Sequence, residues 1–126
     1  MELQVLVATM DRTDDSLVDT MHFQRPAIIA NQCGHWRNRE YEHEFGTVQL
    51  LCSDTKGVGI NRNLALLTAT ADILLFADDD ITYYDPTLQG VVDAFRELPQ
   101  ADVIFFGMDM TRGGEITEKR HCKTQR

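Results

Sequence analysis

Residues 73–80 read ILLFADDD, so an uninterrupted apolar run leads directly into three carboxylates. A continuous apolar run is typical of a strand that is covered on both faces, as in a parallel sheet flanked by helices. Open α/β sheets bind ligands at the carboxyl ends of their strands, where these carboxylates would lie. Ionising all three beside an apolar wall is costly, and a hard divalent cation removes that cost. A solvated acidic turn is the alternative for this segment taken alone.

Four other short apolar segments predict further strands. They lie at residues 3–8, 27–30, 48–52 and 103–106. The intervening residues 33–47 are polar with scattered aromatic side chains, and they predict a loop, with a hairpin around residues 41–45 as the alternative.

Helical spacing of apolar residues indicates three helices between these strands. Residues 13–15 can cap the first helix, and Asp85 followed by Pro86 is a strong start for the last one. The middle helix is predicted from about residue 60, with a buried face made of Ile60, Leu64, Leu67 and Ala71. Strands that alternate with helices predict an α/β fold with a mostly parallel sheet flanked by helices.

The charge is unevenly distributed along the 126 residues, whose net charge is −8. Such an acidic chain is not expected to bind nucleic acid, which requires a basic face. Residues 1–111 carry 7 basic and 18 acidic side chains, whereas residues 112–126 carry 5 basic and 2 acidic ones. We therefore predict an α/β domain over residues 1–111 and a basic tail, interpreted as a loop, over residues 112–126.

Cysteine usage and the first residues bear on the cellular location. The three cysteines, Cys33, Cys52 and Cys122, are odd in number and form no CxxC pair, which is typical of a reducing compartment. The four histidines show no metal-ligand spacing, and we interpret them as surface or loop residues. The opening segment is neither a signal peptide nor a membrane span. A cytoplasmic protein is expected.

Polar residues follow three of the predicted strands at the point where each strand ends. Thr9 and Asp11 follow the first strand, Asn31 and Gln32 the second, and residues 78–80 the fourth. Because the carboxyl ends of parallel strands meet at one edge of a sheet, these side chains are expected to line a ligand crevice.

The segment GVGINRNLALLTATADILLFADDDITYYDP resembles the nucleotide-binding half of family 2 glycosyltransferases with the GT-A fold. The shared features are a glycine-containing turn, an Arg-Asn pair that opens a helix, an apolar strand ending in Asp-x-Asp and a helix started by proline. The residues ATMD at 8–11 resemble the first-strand signature of the family. In all, the resemblance spans about residues 3–108.

This resemblance implies a Rossmann-like domain that binds a nucleoside diphosphate sugar, with a UDP-sugar favoured, and transfers the sugar to a saccharide or glycolipid. The implied nucleotide-sugar-binding residues are Thr9, Asp11, Asn31, Arg62, Asp78 and Asp79, and the implied ligands of Mn²⁺ or Mg²⁺ are Asp78 and Asp80. A metal that bridges two phosphates would stabilise the departing nucleoside diphosphate.

Two departures from the family pattern affect what the resemblance implies. Asn31 and Gln32 stand where the family usually has an acidic residue, so the identity of the base is left open. No residue matches the catalytic base of the family, because Glu115 and Glu118 lie in the basic tail. The sequence therefore suggests a fragment, whose tail is the truncated start of an acceptor half, or a reduced domain that only binds donor.

Two alternative functions are considered. Residues 78–82, DDDIT, also fit the Asp-x-Asp-x-Thr motif of haloacid-dehalogenase phosphatases, in which the first aspartate attacks phosphorus. That motif normally lies at the start of its domain. In this chain four predicted strands precede residues 78–82, which argues against this alternative. The other alternative is a non-catalytic module that binds a nucleotide sugar without transferring it.

Overall fold

The computed structural model of the protein describes residues 1–107, 109–112, 115–119 and 123–125. The chain divides into two compact units, Met1–Val92 and Asp93–Arg126. None of the described helices combines the length and the apolar character that crossing a membrane requires.

The first unit contains a five-stranded sheet and its helices. In chain order its elements are β1 (Leu3–Met10), α1 (Leu17–Thr20), β2 (Ala27–Gln32), β3 (Arg37–His43), β4 (Gly46–Ser53), α2 (Val58–Thr68), β5 (Ile73–Asp78) and the first part of α3 (Asp85–Glu97). The strand order is β3-β4-β2-β1-β5, and every neighbouring pair is parallel except β3 and β4. The predicted α/β fold with a mostly parallel sheet is confirmed.

The central strands β1 and β2 are buried on both faces, as their apolar sequences predict. Val5, Val7, Ile28 and Ile29 are fully shielded from solvent. Alternate side chains of a strand point to opposite faces, so such burial requires cover on both sides of the sheet. On one face Leu6 and Ile28 form a core cluster with Ala65 of α2.

The antiparallel edge of the sheet differs from the predicted loop. Residues 37–43 form β3, which pairs with β4 through a hairpin between His43 and Gly46. Its side chains are almost all polar and exposed, so the sequence has neither the alternating apolar pattern nor the apolar run that predicts a strand. The backbone hydrogen bonds to β4 form this strand, and the hairpin alternative considered for the same region is confirmed.

The predicted buried face of the middle helix is wrong. Leu67 is 83% exposed and Ile60 is 52% exposed, and the helix ends at Thr68, before Ala71. The buried residues of α2 are Asn61 and Ala65. Two backbone carbonyls at the ends of β1 and β2 accept hydrogen bonds from Asn61, and this polar contact turns Asn61 inward, whereas Ile60 and Leu67 face solvent and Leu64 is half-buried.

The second unit contains β6 (Val103–Phe105), β7 (Asp109–Arg112), β8 (Glu115–Lys119) and β9 (Lys123–Gln125). β6 pairs antiparallel with β9, and β7 pairs antiparallel with β8. The prediction that residues 103–106 add a strand to the parallel sheet is therefore wrong, because this short segment pairs with a strand from the basic tail. The tail itself contains strands where a loop was predicted, and the domain boundary at residue 111 stays a prediction.

We predict that Gly46→Ala destabilises the protein by about 1–3 kcal/mol in urea unfolding. Gly46 has a φ of +131°, and an added Cβ would lie 2.6 Å from Cγ of Pro26. The matched control is Gly90→Ala, whose added Cβ meets no atom within 4 Å inside α3. It should stabilise by about 0.5–1 kcal/mol, because alanine is the better helix former. Equal effects of the two variants would contradict this account of Gly46.

Candidate functional site

The end of β1 and the turn after β5 are joined by a short polar network. Thr9, which is 6% exposed, donates from Oγ1 to Oδ2 of Asp79 over 2.8 Å. Nε of Arg12 donates to the same hydroxyl over 3.1 Å, and Nη2 of Arg12 lies 3.5 Å from Asp79 Oδ2. Asp79 therefore has a hydroxyl donor and a guanidinium beside it, and both fix its orientation.

The neighbouring aspartates differ sharply in their partners. Asp78 ends β5, and its Oδ1 accepts a hydrogen bond from Nη2 of Arg62 over 2.8 Å. The two side chains are 56% and 44% exposed, so this ion pair contributes at most about 1 kcal/mol. Asp80 is exposed, and no hydrogen bond or ion pair joins its carboxylate to any residue that the structure describes. The turn thus presents one paired and one free carboxylate to solvent on either side of Asp79.

Asp11 and Asn31, the other two predicted site residues, lie in very different surroundings. Asp11 is exposed, has a φ of +56° and donates its backbone N–H to the carbonyl of Gln32. Asn31 is completely buried: its Oδ1 accepts from the Arg12 N–H, and its Nδ2 donates to the Arg12 carbonyl. The Asn31 amide holds the backbone that carries Arg12, and direct contact of Asn31 with a ligand stays a prediction.

Asn61 is a structural determinant of the site that the sequence reasoning missed. Its side chain is 2% exposed, and its Nδ2 donates to the carbonyls of Thr9 and Ala30 over 3.2 and 2.7 Å. This contact ties α2 to the ends of β1 and β2 and brings Arg62 beside Asp78. The sequence signal is weak, since a polar residue in a helix is normally assigned to its solvent face.

Arg12 was also missed. A basic side chain directly after a strand in an acidic chain was the available signal, and the structure places its guanidinium against Thr9 and Asp79.

The residues after the aspartates bring an aromatic hydroxyl into the same region. Burial, with a smaller contribution from the negative charge of Asp78, raises the pKa of Tyr83 to about 12. The phenol is therefore protonated at neutral pH and can donate a hydrogen bond. The Tyr83 backbone N–H donates to the carbonyl of Met21, which fixes the loop against the segment after α1.

A concavity of about 220 Å³ lies beside the ends of β1, β2 and β4. Met10 and Gln32 line it, together with the loop that leads into α2. Gln32 donates from Nε2 to the carbonyl of Gly57 over 2.8 Å, which holds this loop against the end of β2. The concavity is open, mostly apolar in its lining and of a size that admits a planar ring.

A second group of side chains lies at the ends of β2 and β4, where the sequence predicted no site. Cys33, His35 and Cys52 have one potential ligand atom each within 4.8 Å of the others. Burial, and next the neighbouring Cys52, raise the pKa of the Cys33 thiol. Sequence spacing did not connect these residues, because Cys52 comes from a strand that is adjacent only in the fold.

The family model described as Glycosyl transferase family 2 matches residues 37–123. No curated protein and no solved structure matches the chain. The matched range contains Arg62 and the three aspartates, whereas Thr9, Asp11 and Asn31 lie before it.

We predict that Asn61→Ala lowers the free energy of unfolding by about 1–3 kcal/mol, because it removes a buried donor from two carbonyls. Asn63→Ala is the matched control on the same helix. Asn63 is exposed and has no hydrogen-bond partner among the described residues, so its replacement should change stability by at most about 0.5 kcal/mol. Urea unfolding of both variants measures the difference, and a near-neutral Asn61→Ala would refute the role assigned to Asn61.

Proposed function

The chain belongs to glycosyl transferase family 2, and from this premise we propose that it binds a nucleoside diphosphate sugar at the carboxyl ends of β1 and β5. Family membership implies a nucleotide-sugar donor and an acceptor as partners. The observation that carries the proposed location is the turn after β5, where Asp78 and Asp80 are exposed beside Arg62. The acidic turn is tied to β1 through Thr9, so groups proposed to bind the donor lie side by side on two strands.

The proposed metal ligands are Asp78 and Asp80, and the proposed ion is Mn²⁺ or Mg²⁺. Their chemistry fits a hard cation, because such ions take one or two carboxylates and complete their coordination with water and substrate phosphates. Asp80 could bind a metal without breaking a contact to any described residue. The Oδ2 atom of Asp78 is also available, because the hydrogen bond from Arg62 uses Oδ1. When bound, the cation would supply positive charge to the diphosphate as it leaves.

The remaining residues are proposed to position the donor. Thr9, Asp11 and Arg62 are assigned to the nucleobase, and Asp79 to the sugar side. Arg12 orients Asp79 through the contact of its guanidinium with the carboxylate. Asn31 is assigned to this site as well, and its contacts with the Arg12 backbone favour action through that loop.

The finer identity of the partners is proposed on weaker support. A UDP-sugar is favoured as donor, with a saccharide or glycolipid as acceptor, and no catalytic base is assigned among the described residues. A cytoplasmic location is supported by Cys33 and Cys52, which are free thiols although their sulfur atoms are close together.

We predict that binding of a UDP-sugar or GDP-sugar requires Mn²⁺ or Mg²⁺ and that Asp80→Asn weakens the metal-linked affinity at least about tenfold. Calorimetry with each donor, first with Mn²⁺ and then with EDTA, measures both effects. Glu40→Gln is the matched control: it removes one negative charge on β3, at the opposite edge of the sheet, and should leave the affinity unchanged. Equal affinity in Mn²⁺ and EDTA, or no affinity for any donor, would refute the proposal.

A stability measurement separates a functional from a structural acidic turn. Asp80→Asn removes one charge from three neighbouring carboxylates, so the metal-free variant should be as stable as the wild type or slightly more stable. Thermal unfolding in EDTA provides the test. A clear loss of stability would mean that Asp80 is part of the structural framework, contrary to its assignment as a ligand.

A further inference from the structure

The thiols and the imidazole at the ends of β2 and β4 form a compact group of soft donors. Cys33 follows the last residue of β2, His35 lies two residues later, and Cys52 is in β4. Their ligand atoms all lie within 4.8 Å of one another. Among the His, Cys, Asp and Glu side chains of the described ranges, this group meets that distance and the three aspartates at residues 78–80 do not.

The backbone builds this arrangement. β2 and β4 pair in parallel with Gln32 opposite Ser53, and the Cys33 N–H continues the pairing by donating to the Ser53 carbonyl over 3.1 Å. Cys33 is thereby placed beside Cys52. Gly34 has a φ of +83°, which turns the chain back so that the His35 ring reaches the Cys33 sulfur.

The separation of Cys33 and His35 is close to that of two ligands in a tetrahedral metal site. Sγ of Cys33 lies 3.6 Å from Nδ1 and 3.9 Å from Nε2 of His35. With Zn–S and Zn–N bonds of about 2.3 and 2.0 Å, two ligand atoms at a tetrahedral angle are about 3.5 Å apart. A zinc ion could bind between the two groups after a rotation of the exposed His35 ring that directs one nitrogen toward the sulfur, which is now nearly equidistant from both ring nitrogens.

The surroundings of Cys52 favour a bound cation. Cys52 is 4% exposed, and its sulfur accepts a hydrogen bond from Nδ2 of Asn31 over 3.4 Å. An amide donor to the sulfur fixes its direction, as outer contacts do in metal sites. Thiolate and imidazole ligands bind zinc more strongly than they bind the hard cations magnesium and manganese.

We propose that Cys33, His35 and Cys52 bind a zinc-class divalent metal, with a fourth position open to water or another ligand. None of its three ligands is an assigned donor contact, and the site meets the proposed donor site through the Asn31 amide that contacts Cys52. A metal bound there links the loop after β2 to β4.

The test uses untagged protein, reduced and kept under nitrogen, and Co²⁺ as the spectroscopic probe. The wild type should bind one Co²⁺ per chain with a thiolate charge-transfer band, and Zn²⁺ should displace it. Mg²⁺ in large excess should not. Cys33→Ser and His35→Ala should each weaken Zn²⁺ binding at least about 100-fold or abolish it, because each removes one of three ligands.

Two control variants remove the same residue types elsewhere. Cys122→Ser and His22→Asn should bind Zn²⁺ as the wild type does; asparagine suits the φ of +56° at His22. His35 is exposed, so His35→Ala tests the site even if Cys33→Ser fails to fold. Absence of Co²⁺ and Zn²⁺ binding in the wild type, or unchanged binding in both cluster variants, would overturn the proposal.

Discussion

The parallel pairing of β1 with β2 on one side and β5 on the other is the constraint on which the proposed donor site depends. This register places Thr9 opposite Asn31 and Ala8 opposite Asp78. A shift by one residue would turn the Thr9 side chain to the other face of the sheet. Buried aliphatic side chains hold the register, since each contributes about 1.5–3 kcal/mol, against at most about 1 kcal/mol for an exposed ion pair. The apolar core therefore positions the polar contacts.

The charges at the strand ends are balanced only in part. Arg12 lies beside Asp79 and Arg62 pairs with Asp78, which leaves Asp80 as the carboxylate without a described partner. Both ion pairs are partly exposed, so water screens them and a ligand could exchange with them at small cost. An anionic diphosphate would be repelled by the uncompensated turn. A divalent cation between the two reverses the sign of that interaction, which is the physical reason for assigning it there.

The sequence predicted the parts of the fold that are determined by local apolar patterns. The strands at residues 3–8, 27–30, 48–52 and 73–77 lie within observed strands of the parallel sheet, because each is a largely apolar run. The expected cover on both faces is incomplete for residues 73–77, which form the edge strand β5, where Phe76 is 49% exposed. The rest depends on contacts between distant residues. β3 is an exposed polar strand that forms because it pairs with β4. The buried face of α2 is determined by hydrogen bonds from Asn61 to carbonyl groups of other strands.

The same distinction applies to the proposed site residues. Thr9, Asp11 and the aspartates could be proposed from the sequence because each follows an apolar run, and their roles stay predictions. Arg12 acts through contacts with residues far along the chain, and Cys52 comes near Cys33 only through the pairing of β2 with β4. Proximity of this kind has no signature in spacing, so the sequence predicted no site at Cys52, and His35 was interpreted as a surface or loop residue.

The buried amide of Asn31 lies between two groups of donors that differ in hardness. One of its Nδ2 contacts is the Arg12 carbonyl next to the carboxylate site, and the other is the Cys52 sulfur. Manganese and magnesium prefer oxygen ligands and bind thiolates weakly, whereas zinc prefers sulfur and nitrogen. The two proposed sites can therefore hold different ions without competing. Because one amide contacts both neighbourhoods, a metal that fixes Cys52 also fixes Asn31, and through it the loop that orients Arg12 and Asp79.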